Sequence, residues 1–462
     1  MKGTQLVLPA LFTAFALLAV ASEERANDRG RRGAGAGGQV ETAVVPAYRF
    51  NVWLCRPGAD SMTVSVLAWQ DMEAFIAYGE DPDSMTHRSA TLELTAGEPR
   101  KVPLGDLKPD TAYSYQLIYR MGGGEPVRDE VRSFHTQRAP ASTFTFTIQA
   151  DSHLDVSTDV RVYQQTLANM LADKPDFMVD LGDTTMVDKF GSFYTRAESQ
   201  YKAQRFHIGR IAHSVPILMV LGNHDGERGD RLEMAEWSLN MRQKYFPNPT
   251  DGNDKDSYFA FEWGGALFVC LDPFWATKQR GADNWGMTLG EAQYRWLAQT
   301  LRESAAAFKF VFIHHLVGGL GRDVRGGAGA APYMEWGGRN ADGSDGFQQH
   351  RPGWELPIHR LLVKNGVSAV FHGHDHLYAK EELDGVIYQE VPQPGHPSGG
   401  TRSAEEYGYT GTILGSSGHL RVTVGPGEAR VDYVRSIVPG VTRAGMQNGA
   451  VEHSYVIKTK KP

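Results

Sequence analysis

The sequence predicts an α/β fold preceded by a small all-β sandwich, and three observations carry that prediction. From about residue 143 onward, apolar runs that read as buried strands alternate with stretches of helical spacing. The runs FTFTIQA, DFMVDL, PILMVL, KFVFI and VSAVF each end abruptly in polar residues. Before residue 138 the pattern differs: short alternating runs are separated by Gly/Pro/Asp turn clusters, as in an antiparallel sandwich.

The chain has 462 residues, 41% of them hydrophobic, enough for a large core and two domains. Its net charge is −7, from 47 basic and 54 acidic residues, and it has no basic run, which argues against nucleic acid as a main partner. Two cysteines, Cys55 and Cys270, cannot form a disulfide framework and rule out thiolate ligation as the organising chemistry. One bridge between the two parts of the chain is possible, and two buried thiols are expected.

Residues 1–21 carry Lys2, an apolar run and Ala19-Val20-Ala21 before a charged stretch, the order of a cleaved export signal. The run is short for a membrane anchor and contains Pro9, and no later segment is long and apolar enough to span a bilayer. A periplasmic or extracellular protein is expected. Residues 22–41 are charged, Gly/Ala-rich and without periodicity, a disordered linker. The sandwich is expected over 42–138, with strand-like runs TVSVLAW, SATLEL, YSYQLIY and VRSFHT. Within it, Leu107, Pro109, Thr111 and Tyr113 resemble the strand-turn-strand passage of fibronectin type III-like domains, in which a tyrosine packs at the sheet corner.

The sequence RAPAS at 138–142 is the expected boundary of a second domain over 143–462. Helices are predicted over 160–172, 192–213 and 288–304, the last with a capping box from Thr288 to Glu291. Two more strands, SYFAFEW and ALFVCLD, follow PILMVL. Residues 318–354 break every regular pattern, and a loop that long inside a compact domain suggests a functional lid or disorder. Alternating strands return in HLRVTV and EARVDYVRS.

The polar strand ends are the chemical signal. Asp151 and His153 follow the first run, Gly182 and Asp183 the second. Gly222, Asn223, His224 and Asp225 follow the third, where Gly222 lets the chain turn sharply. His314 and His315 follow the fourth, and His372, His374 and His376 end the fifth. In an open α/β sheet the carboxyl edge is where ligands bind, and packing does not call for His, Asp or Asn there.

Taken in order, D-x-H, G-D, G-N-H-D, H and G-H-x-H resemble the calcineurin-like metallophosphoesterases. The resemblance implies a four-layer α/β sandwich, two β-sheets between helices, with two metal ions of the Fe, Mn or Zn kind. It also implies Asp151, His153 and His376 on one ion, Asn223, His314 and His374 on the other, and Asp183 bridging. His224 becomes the non-ligand histidine that protonates the leaving group, with Asp225 as its orienting partner. His315 is left as a substrate contact or a residue behind the ligands. Asp155, Asp272 and Asp375 are expected behind the ligands or in solvent, and His207 and His213 as structural.

The chemistry explains these residue types independently. Two cations neutralise a phosphate ester's negative oxygens and clamp the attacking and leaving oxygens in line, around a bridging hydroxide. Imidazole, carboxylate and amide donors suit Mn, Fe or Zn. A histidine with a pKa near working pH suits a departing alkoxide. A sandwich ahead of such a domain also resembles purple acid phosphatases, with a departure. Those enzymes have glycine where His153 stands, and an iron-binding tyrosine where this chain has Met186. The expected substrate is a small phosphate ester, foremost a monoester. A phosphodiesterase of the same fold, or a cell-surface binding protein with a non-catalytic domain, are the alternatives.

Overall fold

The computed structural model describes residues 49–250, 253–278, 284–321, 323–442 and 445–459. The expected signal at 1–21 and linker at 22–41 lie outside the described residues. No helix among the described residues is long and apolar enough to cross a membrane.

Strands Phe50–Cys55, Met62–Ala68 and Arg100–Leu104 form an antiparallel sheet. A second antiparallel sheet is built on Met72–Gly79 and Ala112–Arg120. Val52, Leu54, Val64 and Val66 of the first pack with Ile76, Tyr115 and Leu117 of the second in one core. Tyr113 is buried, its ring 5.7 Å from Phe134, and its hydroxyl accepts from Lys108 N at 2.9 Å. That closes the sheet corner as Leu107–Tyr113 predicted.

Two larger sheets carry the rest of the chain. One runs Ile217–Met219, Phe177–Asp180, Phe144–Gln149, Gly418–Val424, Glu428–Arg435, Val451–Lys458, with its first three strands parallel. The other places Ala266–Cys270, Phe308–Phe312 and Ala369–His372 side by side in parallel. Strand alternation assigns the layers. Phe144, Phe146, Phe177, Val179, Phe268, Phe310, Phe312 and Phe371 form the core shared by the two sheets. Leu267, Val269, Val311 and Val370 point the other way, onto helix Gly290–Glu303 and its neighbours. Met178, Ile217 and Met219 face helices Val160–Ala172 and Glu198–Ala212. The order helix, sheet, sheet, helix is the four-layer α/β sandwich.

Several local expectations change. Residues 192–213 are not one helix: a 3-10 segment, Val187–Ala197, precedes the α-helix Glu198–Ala212, broken at Gly191 with φ 57°. Thr288 does not form a capping box with Glu291, which pairs instead with Arg295 at 2.5 Å. The carboxylate that caps this helix is Glu335, which accepts from Leu289 N at 2.8 Å. Residues 318–354 contain two short helices, Met334–Gly337 and Phe347–His350. Cys55 and Cys270 are free and buried, as expected of two thiols.

Candidate metal centre

The parallel strands of both sheets deliver their carboxyl ends to one place. Asp151 follows Phe144–Gln149, Asp183 follows Phe177–Asp180, and Asn223 and His224 follow Ile217–Met219. From the facing sheet come His314 after Phe308–Phe312, and His374 and His376 after Ala369–His372. Hydrogen bonds stitch the sheets across this edge: His374 N donates to Asp151 Oδ2 at 2.8 Å, and His314 Nδ1 bonds to Leu181 O at 2.8 Å.

Tight backbone approach explains the glycines. A Cβ on Gly222 would lie 2.0 Å from Asp183 N, so close approach, rather than a left-handed turn, demands glycine there. Gly182 does need its left-handed φ of 92°. Asp151, His153, Asp183, His374 and His376 themselves have positive φ, between 51° and 84°. Strained conformations of this kind persist only where the surroundings over-determine them, as at ligand sites.

Two groups of side chains can each hold a cation. Asp151, His153 and His376 form one, and Asp183, His314 and His374 the other, with the ligand atoms of each within 4.8 Å of one another. His153 Nε2 and His376 Nε2 lie 3.7 and 3.4 Å from Asp151 Oδ1. Asp183 stands in the second group and faces the first. Its Oδ1 accepts from His224 N at 2.7 Å, while Oδ2 stands 3.3 Å from His314 Nε2 and 3.8 Å from His153 Nε2. Asn223 Oδ1 is 3.2 Å from His314 Nε2, on the second group's side.

The residues fit metal ions on two further grounds. Asp151 Oδ1 and His153 Nε2 are buried without a hydrogen-bond partner, which is costly unless a cation lies there. The imidazoles are also oriented from behind, as ligand histidines are. His314 Nδ1 bonds to Leu181 O at 2.8 Å, His153 Nδ1 approaches Asp155 at 3.3 Å, and His374 Nε2 bonds to Asp323 O at 2.7 Å. His374 therefore offers Nδ1, the others Nε2.

Electrostatics in the metal-free centre point the same way. Burial disfavours the Asp151 carboxylate, but the charge of His376 and the nearby imidazole of His153 hold it below the usual range. Burial likewise opposes the His153 imidazolium, yet Asp151, Asp155 and Asp183 raise it to about 10. His314 rises to about 9 despite burial, because of Asp183 and Asp151. His374 is different: burial and the charge of Arg325 push it well below its ordinary value, leaving a neutral imidazole.

The sequence assigned one partner wrongly. Asp225 does not orient His224. Its two oxygens accept from Asp183 N, Thr184 N, Thr185 N and Gly222 N at 2.7–3.1 Å, which fixes the loop that carries Asp183. His224 is oriented by Asp188, whose two oxygens both lie 2.9 Å from Nδ1. Asp188 sits five positions beyond Asp183, in the first turn of Val187–Ala197, and only that 3-10 turn brings it under the ring. His224 Nε2 faces the site, 3.9 Å from Asp183 Oδ2.

The remaining residues take supporting places. His315 is buried against Phe274 and beside His374, with ring centroids 5.2 and 5.3 Å away. Asp375 pairs with Arg325 at 3.0 Å and accepts from Tyr409 at 2.7 Å, behind the ligands. Asp272 binds Ser257 and Phe274 N, outside the centre. His207 and His213 are structural, on or just after helix Glu198–Ala212. Trp285, Trp336 and Trp354 are core residues.

The family model for calcineurin-like phosphoesterases matches residues 144–378, just over half of the chain. Purple acid phosphatase 13 of Arabidopsis thaliana is 25% identical over 218 residues, 40% of this chain. That match spans 37% of the relative's own length. Among solved structures, PhoD superposes with a TM-score of 0.63 at 14% identity, covering 88% of this chain and 90% of that one. Purple acid phosphatase PPD1 from yellow lupin (Lupinus luteus) seeds gives 0.62 at 17% identity, covering 88% and 74%.

Proposed function

The chain belongs to the calcineurin-like phosphoesterase family, and on that premise we propose that it hydrolyses phosphate esters, foremost monoesters, with two metal ions. Asp151, His153 and His376 would hold one ion, Asn223, His314 and His374 the other, with Asp183 placed to serve both. The observation that carries this reading is the approach of both ligand groups to Asp183 Oδ2.

When bound, the ions neutralise the phosphoryl oxygens and supply a nucleophile from water at neutral pH. The chain's own residues do the rest. Asp188 accepts from His224 Nδ1 and turns Nε2 toward the site, where it can hand a proton to the leaving oxygen. Asp225 keeps the Asp183 loop still, and the buried imidazoles of His314 and His374 keep bulk water away from the second group. Met186 offers a thioether where purple acid phosphatases have tyrosine, so the loaded protein is colourless.

We assign the sandwich to 42–138, the phosphoesterase domain to 143–462, and export to the segment at 1–21. The test compares p-nitrophenyl phosphate with bis(p-nitrophenyl) phosphate on protein loaded with Mn, Zn or Fe. Faster monoester turnover supports the reading. Faster diester turnover replaces it with a phosphodiesterase, and no turnover in any loaded form favours a binding protein.

A further inference from the structure

Helix Glu198–Ala212 carries two glutamines, one turn apart, that are wholly buried. Each joins the loop that follows Asp151 to the loop that follows Asp183. Gln200 Nε2 donates to His153 O at 2.9 Å and Leu154 O at 3.3 Å, while its Oε1 accepts from Met186 N at 2.6 Å. Gln204 Nε2 donates to Ser152 Oγ at 2.9 Å and Thr184 O at 2.6 Å, and its Oε1 accepts from Tyr163 at 3.1 Å. Both loops are left-handed at their ligands, with φ of 59° at Asp151, 53° at His153 and 51° at Asp183. The loops already meet through their backbones, Asp151 N donating to Gly182 O at 2.9 Å and His153 N to Asp183 O at 3.1 Å, and the two glutamines brace that join from outside.

The same helix is fastened to the β-sandwich. Arg205, buried with no carboxylate partner among the described residues, donates to Asn51 Oδ1 at 2.8 Å and to Ser65 O at 2.7 Å. Asn51 Nδ2 returns a bond to Arg205 O at 3.0 Å, and Tyr115 OH donates to His213 O. A Cβ on Gly209 would lie 1.9 Å from Asn51 Nδ2, so the helix is pressed against the sandwich there.

We propose that Gln200 and Gln204 are positioning residues of the metal centre, two rungs that set how far apart the Asp151–His153 and Asp183 loops stand, on a helix that the sandwich holds in place. The proposal rests on the binuclear reading above. A two-ion site is sensitive to this separation because Asp183 must serve both groups. Outer-shell partners of metal ligands are worth roughly 10–100-fold in affinity.

The test loads full-length protein with Mn(II) alone and reads ion stoichiometry against graded chelator, together with the magnetic coupling between the two ions by EPR. Gln200→Met and Gln204→Met are expected to weaken retention of one ion by roughly 10–100-fold and to change the coupling. Gln200→Glu keeps the acceptor for Met186 N and loses the donations, so it gives a smaller shift and serves if the Met variants do not fold. Asn169→Leu removes buried bonds to Ser436 and Asn448 far from the ligand loops and leaves both readouts unchanged. Arg205→Gln, which cuts the tie to Ser65, reproduces part of the weakening. Wild-type retention and coupling in the glutamine variants, or an equal loss in Asn169→Leu, overturns the rungs. No loss in Arg205→Gln overturns the sandwich's part. A wild-type chain that takes up fewer than two ions overturns the binuclear reading itself, and the rungs with it.

Discussion

The two ligand groups use similar side chains but stand in different surroundings. Around Asp183, His314 is fully buried, and His374 is pinned from the 318–354 segment by Asp323 O on its ring and by Arg325 on its carbonyl. Around Asp151, His376 keeps 35% of its side chain exposed. His224 stands beside this open group, 5.7 Å from the ring of His153 and 19% exposed. Ligand identity therefore does not make the two positions equivalent. On the two-ion reading, the closed group would hold its ion more firmly and the open group would exchange its ion first. The segment that looked patternless in sequence turns out to seal one half of the centre.

The largest effect should come from the residue that erases this difference. Asp183→Asn weakens the oxygen that faces both groups, so both ions leave and turnover falls to background. Metal analysis after gel filtration decides it, because a variant that retains both ions removes the shared role. Next in size is His224→Ala, which acts on the open side without touching a ligand. Both ions stay and the rate drops by roughly 10²–10⁴-fold, less for esters with good leaving groups. Equal losses across leaving groups would remove the general-acid role. Asp188→Asn keeps the ring in place with a poorer acceptor, and a loss of roughly 10–100-fold is expected in the same assay.

The strand ends were legible in sequence because each breaks a buried apolar run with residues that packing alone does not place there. Asp151, His153, Asp183, Asn223, His314, His374 and His376 therefore come together as their order implied. What escaped depends on contacts between distant positions. The pairing of Asp188 with His224 depends on a 3-10 turn that begins at Val187, ahead of the helix predicted from residue 192. Asp225 looked like a partner for its neighbour, but its oxygens are taken by four backbone N–H groups that the fold brings around it. Glu335 caps a helix that begins 46 residues earlier in the chain, at Leu289, beyond the reach of any local pattern. The ties from Arg205 to Asn51 and Ser65 cross wider gaps still, 154 and 140 positions, and a lone arginine in a helical stretch gives no hint of them.

A smaller effect tests the open and closed halves directly. Under graded chelator the ion near His376 should leave first, and His376→Ala should weaken that ion alone by roughly 10–100-fold, read as loss of one equivalent. Loss of both ions in one step would break the comparison. An effect on stability rather than on metal or rate lies at Asp180. It is fully buried, accepts from Gly182 N and Thr184 Oγ1, and burial raises its pKa from 3.8 to about 6. The folded state thus holds this proton more tightly than the unfolded chain does. Its contribution to stability is complete below pH 3.8 and is lost as pH rises through about 6, a change of about 3 kcal/mol. Asp180→Asn keeps the shape and removes the titration, so the melting temperature of the metal-free variant should fall less than wild type's between pH 4 and 6. Parallel curves would mean that Asp180 stays ionised in the fold, held by the donors of the Asp183 loop, and that its surroundings are more polar than its burial implies.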